Sequence, residues 1–432
     1  MHHKLINILS KILRYNGIWP VESATTISFK LLNLILRFIN FFIFVFLTSI
    51  IMADAIANHS DLSLITDNLC FLIGCFETMS KAFKFYTEYN NIIKLINDIY
   101  EPIDKLKKVN NIEIMTRVNE LSRFECRQFY ILSGIVVLLI SARVFGADRA
   151  NREFPVRAIF PFDGKKSPNY LLIYILISYG VAFIDVSLFT LDLMIVVIMR
   201  YLTFQLEILI SNYKHCHVRS TRNIARNILP NGLETVERFN EIATVNDYDD
   251  DDNGDDEIKN FVIFEIHQKD INNINTFDWR LKQCIKHHQK IVQMLVVLND
   301  CFSFCVIVQI LTSTILICLN GFQILLGNDD RHLLIRRIIA INAVLLQLFF
   351  WCWYGNKMST VADSLTYNQW MCGWESEFKR GVSNSVTTSM ILSLRSLELR
   401  AIGLVPLSLQ TFVSAIKKSY SVLILLLTVV ED

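Results

Sequence analysis

Apolar residues along this chain do not alternate with polar ones at the period of a strand. They gather into long runs separated by charged stretches. A helix needs about 20 mostly apolar residues to cross the hydrocarbon core of a bilayer. Seven stretches approach or exceed that length: 33–56, 62–85, 128–147, 170–200, 292–326, 333–355 and 404–430. The second is interrupted by Asp67, Glu77 and Lys81, and the seventh by Lys417 and Lys418. The pattern predicts an all-α membrane protein with seven transmembrane helices, forming a single domain over residues 1–432. The first residues read differently. Ile6, Leu9, Ile12 and Leu13 recur at helical spacing among polar neighbours. An amphipathic helix is expected there, either lying on a membrane surface or as an ordinary cytosolic helix, and not a signal peptide.

Two runs are too long for the membrane alone. The 170–200 stretch would extend about 45 Å as a helix, against a hydrocarbon core of roughly 30 Å. It and 292–326 should project beyond the bilayer and build a helical cytoplasmic anchor bundle. Asp185 and Asp192 are seven residues apart and share a face of the first of these helices. Charged groups at such depth face protein or water. The stretch from Ser419 to Val430 is too short to span by itself. The last helix must begin earlier, with Lys417 and Lys418 at an interface or in a wet vestibule.

Composition agrees with the pattern. Hydrophobic residues make up 52% of the chain and Phe alone numbers 30, while 14 Gly and 7 Pro are few for a turn-rich β protein. A net charge of +1 gives no general attraction for nucleic acid.

Local charge gives a direction. Lys4, Lys11, Arg14, Lys30 and Arg37 precede the first span, and no Lys or Arg follows until Lys81. Basic flanks stay on the cytoplasmic side, so the N-terminus is expected inside and the C-terminus outside. Arg149, Arg152, Arg157, Lys165 and Lys166 oppose this orientation, but the first span usually dominates. The long stretches 86–127 and 201–291 then face the cytoplasm. Within the second, Asp247–Glu257 reads DYDDDDNGDDE. Such a run repels itself and is expected to be a disordered linker. It lacks the alternating ligands and closing Glu of an EF-hand.

Catalytic and metal signatures are missing from the chain. The ten cysteines fall in spans or predicted cytoplasmic parts, so no structural disulfide is expected. His215-Cys216-His217 and His287-His288 lack the spaced second pair of a zinc site. No metal or cofactor is expected. GxSxG, HExxH, P-loop and GxGxxG patterns do not occur, so an enzyme is not expected. Asn58-His59-Ser60 is the sole glycosylation sequon and falls in the first outer loop. There are no paired repeats or broken helices of a transporter. The inward N-terminus opposes a G-protein-coupled receptor.

The C-terminal third resembles the insect odorant receptor family. The residues that carry the resemblance are PLSLQTFVSAIKKSYSVLILL, Pro406 to Leu426, with LFFWCWYGNKMSTVADSLTYNQW, Leu348 to Trp370. LKQCIKHHQKIV, Leu281 to Val292, and FPVRAIFPFDGKKSPNY, Phe154 to Tyr170, extend it over nearly the whole chain. The turn before the last helix, Arg395 to Leu404, is shorter than the family's. The resemblance implies a tetrameric, odorant-gated, non-selective cation channel in the plasma membrane of an olfactory neuron, at its dendrite. A tuning subunit would join a common coreceptor, the seventh helices would line a central pore, and a small volatile or apolar ligand would bind within each tuning subunit. Ser419-Tyr420-Ser421 and the absence of a closing Gln place this chain with tuning subunits, not with the coreceptor. Gustatory receptors, with a late Gln-Phe, are the nearer alternative. Alignment of Ser419-Tyr420-Ser421 with the family's last helix puts Leu423, Leu426 and Leu427 at the pore constriction. Outer-half residues suited to an odorant pocket are Asn68 and Phe71 in the second span, Ser141 and Phe145 in the third, Tyr174, Ser178 and Tyr179 in the fourth, and Asn342 in the sixth.

Overall fold

A helix covers most of each of the seven apolar stretches, and most run past at least one of the ends that hydropathy alone suggests. The computed structural model describes residues 4–20, 27–59, 62–108, 112–146, 152–160, 164, 166, 169–217, 258, 261–264, 276–326, 331–377, 380–394 and 397–431. Arg149, Lys165, Ser60 of the sequon, the acidic Asp247–Glu257 run and Asp432 lie outside them. In chain order the helices are α1 (Lys4–Tyr15), α2 (Ile27–Ala57), α3 (Leu62–Thr87), α4 (Tyr89–Lys108), α5 (Ile112–Phe145), α6 (Asn169–Lys214), α7 (Phe277–Leu326), α8 (Arg331–Trp370), α9 (Arg380–Ser393) and α10 (Leu409–Glu431). Among the described residues, six of them are long and apolar enough to cross a membrane, while Asp67, Glu77, Lys81 and Lys84 interrupt the apolar run of α3.

The excess length of α6 and α7 builds a second layer. With 46 residues, α6 extends about 69 Å. Its first half packs against α2, where Leu47, Ile50 and Ile51 meet Ile177, Val181 and Ile184. Gly180 permits the crossing, since a Cβ there would lie 2.0 Å from Cδ1 of Leu47. Its second half, Leu191 to Tyr213, is buried nearly all round among α1, α4, α7 and α8. These helices pack into a bundle of the kind expected from the excess length of α6 and α7. The stripe of α1, including Leu5, Leu9 and Leu13, belongs to that core, so protein covers it and not a lipid surface. On α2, Phe38, Phe41, Phe42 and Val45 stay exposed, which suits side chains that meet lipid.

The last helix starts later than the apolar run. Arg400–Ala401 pairs antiparallel with Val405–Pro406 in a small hairpin whose turn holds Ile402 and Gly403 at positive φ. Asn299 of α7 pins this hairpin, accepting from the Arg400 N–H at 2.9 Å and donating to the Glu398 carbonyl at 3.1 Å. Ser408 then caps α10, its hydroxyl accepting from the Thr411 N–H at 3.3 Å. The helix begins at Leu409, with Lys417 and Lys418 exposed along it. All ten cysteines are free.

Candidate functional site: a cavity within the helix bundle

Among α3, α5, α6, α7 and α8 lies a cavity of about 230 Å³. Each helix gives it one face, at the three- and four-residue spacing of neighbours on a helix. Phe71, Gly74 and Glu77 come from α3, and Gln128, Leu132, Ile135, Leu139 and Arg143 from α5. Asp185, Leu188, Phe189, Asp192 and Val196 come from α6; Ala340, Ala343, Val344, Gln347 and Trp351 come from α8. Small residues make the room. A Cβ on Gly74 would meet nothing within 4 Å.

The polar residues divide into two groups. At one end Lys81 of α3, almost wholly buried, donates to Glu77 at 2.7 Å, to Asp192 and to Gln309 of α7. Gln347 donates to Asp192 at 2.6 Å and to Glu77 at 2.9 Å, and Thr312 donates to Glu77 at 2.9 Å. The ammonium sits 5.0 Å from the centre of the Trp351 ring. Buried charges persist only when paired and hydrogen-bonded, and this network ties α3, α6, α7 and α8 at the cavity floor. At the other group Arg143 lies 3.7 Å from Asp185 and 5.8 Å from the centre of the Phe71 ring.

Of the eight residues that the sequence suggests for ligand contact, Phe71 alone lines this cavity. Asn68 is buried toward α2, donating to Asp54 at 2.7 Å. The Tyr174 hydroxyl donates to the Val144 carbonyl, and Ser178 back-bonds to the Tyr174 carbonyl at 2.7 Å. Tyr179 is half exposed and reaches Asn40 of α2 at 2.7 Å. Phe145 is exposed, Ser141 is half-buried off the cavity face, and Asn342 points away from the face of Ala343 and Gln347. Ser141 falls between the lining residues Leu139 and Arg143, and Asn342 between Ala340 and Ala343, so it is the helix face that keeps them out. Asp185 and Asp192 were visible as a same-face pair, and both reach it.

The three pore candidates sit on α10. Leu423, Leu426 and Leu427 are half-buried, and Leu423 lies against Gly321 of α7, within 3.3 Å of where a Cβ would be. The neighbouring face, with Lys417, Ser421, Ile424, Leu425 and Thr428, is open. Ser419 holds α10 to α7 by donating to the Thr314 carbonyl at 2.9 Å. Among the described residues no group of three His, Cys, Asp or Glu side chains is placed to hold a metal.

The chain is similar to proteins of known kind over almost its whole length. It is 23% identical to Odorant receptor 13a of Drosophila melanogaster over 337 residues, 71% of this chain and 68% of that one. It is 26% identical to Odorant receptor 94a of the same fly over 163 residues, 37% of this chain and 42% of that one. In three dimensions it resembles the insect olfactory receptor OR5 of Machilis hrabei with a TM-score of 0.73, at 13% identity, over 99% of this chain and 98% of that one. The complex of that receptor with eugenol gives a TM-score of 0.69. The sequence model of the 7tm Odorant receptor family matches residues 61–420, and the chain belongs to that family.

Proposed function

We propose that this membrane protein is the odorant-binding, tuning subunit of a heteromeric, ligand-gated, non-selective cation channel. The observation that carries the reading is the cavity: apolar walls with a few polar groups are what a small-ligand site requires. Its volume, about 230 Å³, is below the roughly 300–1,000 Å³ of drug-sized sites, which suits a small volatile ligand. A receptor of similar fold has been solved with eugenol, in keeping with a small apolar ligand here.

The same proposal places the N-terminus in the cytoplasm, because of the basic residues before α2. It gives the chain a coreceptor as partner in a heterotetramer, in the plasma membrane of an olfactory neuron dendrite. Leu423, Leu426 and Leu427 would form the hydrophobic constriction. The test is to record odour-panel currents from cells with this chain alone, with the coreceptor, and with the coreceptor plus Gly74→Leu. Current should require both chains. Gly74→Leu should remove responses to the bulkier ligands and spare the smallest. Robust current from the chain alone, or a Gly74→Leu profile identical to the parent, counts against the reading.

A further inference from the structure

The cavity has a polarity of its own. Three carboxylates line it, those of Glu77, Asp185 and Asp192, against the single cation Arg143 on its wall and Lys81 beneath its floor. The Glu77 and Asp192 oxygens are engaged by Lys81, Gln347 and Thr312. Asp185 differs: its Oδ2 is buried and has no hydrogen-bond partner, and its other oxygen meets Arg143 only at 3.7 Å. A buried acceptor left unmade is costly, and a ligand that donates to it recovers that cost. The lining donors offer less. The Tyr354 hydroxyl is already given to Gln128 at 2.8 Å, and Gln347 is given to the carboxylates. Arg143 already faces Asp185 at 3.7 Å and the Phe71 ring.

We propose that the cavity, on the reading of it as the odorant site, selects small apolar molecules bearing one hydrogen-bond-donating head group, a hydroxyl or an amine, and that Asp185 receives that donor. The walls of α5, α6 and α8 hold the hydrocarbon part. Ligands that only accept, such as ethers and esters, leave Oδ2 unpaired. Carboxylates meet a lining that carries three carboxylates against one guanidinium, which disfavours them.

Thermal stabilisation of the purified full-length receptor tests this independently of gating, since a ligand that binds only the folded protein raises its melting temperature. The probes are 1-hexanol, hexylamine, methyl pentyl ether and hexanoate. The alcohol and the amine should stabilise at concentrations roughly tenfold or more below the ether, the scale of a hydrogen bond to a charged group. Hexanoate should not stabilise. Asp185→Asn, which keeps the shape, should bring the alcohol and amine toward the ether; Asp185→Leu should erase the difference. Equal potency of alcohol and ether overturns the proposal, and so does an unchanged ratio in a folded Asp185→Asn receptor or no stabilisation by either donor. Gly74→Leu separates the underlying reading: if it leaves donor binding intact while Asp185→Asn abolishes it, Asp185 binds elsewhere and the cavity is not the odorant site.

Discussion

Lys81 of α3 donates a hydrogen bond to the carboxylate of Asp192 of α6, 111 positions along the chain, at a place where neither touches much solvent. The ammonium also holds Glu77, so one cation serves two carboxylates. Removing it strands both. Lys81→Met should cost about 3–5 kcal/mol, the scale for breaking a buried pair. Lys81→Met with Glu77→Gln and Asp192→Asn should regain much of that, because no buried charge remains. Melting of the solubilised receptor checks both. A single Lys81→Met variant as stable as the parent would show that the network is wet and weak.

Three glycines should respond differently to the same added methyl. Gly74 faces open space, so Gly74→Ala should be neutral or gain about 0.5–1 kcal/mol of helix propensity. Gly180→Ala meets the end of the Leu47 side chain, which can swing aside. Gly355→Ala would put its Cβ 2.4 Å from the Leu407 carbonyl oxygen, and that backbone is fixed by the Leu407 N–H bond to Leu399 at 2.9 Å. Overpacking of this kind costs about 1–3 kcal/mol, with Gly355 at the high end and Gly180 at the low end. Melting temperatures in the reverse order would contradict the packing described.

The helices were legible because long apolar runs have few alternatives, whereas the face each turns inward was not. A helix apolar on all sides, such as α6 from Leu191 to Tyr213, reads alike in lipid and in a protein core. Tyr179 and Asn68 looked like ligand contacts because they are polar and near the outer end, yet both bond to α2. The charges that weakened the second stretch were the better signal. Glu77 and Lys81, four apart, pair on α3 and mark the cavity floor. Gly403 and Pro406 could have announced the hairpin that delays α10.

The direction of the chain through the membrane can be read with tags. An N-terminal epitope should stain only after permeabilisation, and a C-terminal one should stain intact cells. The reason is the cluster Lys4, Lys11, Arg14, Lys30 and Arg37 before α2. Staining of the N-terminal tag on intact cells would invert the proposed topology and move the α6–α7 bundle outside.

The gate offers the sharpest choice between two faces of one helix. Leu423, Leu426 and Leu427 share a half-buried face of α10, and Leu423 already packs on Gly321 of α7. Ile424 and Leu425 belong to the open face with Lys417 and Thr428. A pore constriction needs side chains that meet their counterparts across an axis, where apolar rings stop ions by dewetting. If the half-buried leucines are that ring, Leu426→Ser and Leu427→Ser should raise basal current and alter permeability ratios without reordering the preferred odorants. Leu423→Ser should do the same but also lower the melting temperature, since it loses its contact with α7. Ile424→Ser and Leu425→Ser should leave permeation alone. The opposite result, with leak from the open-face substitutions and none from the leucines, assigns the pore to the face of Lys417 and Ile424 and leaves Leu423 as packing for the bundle.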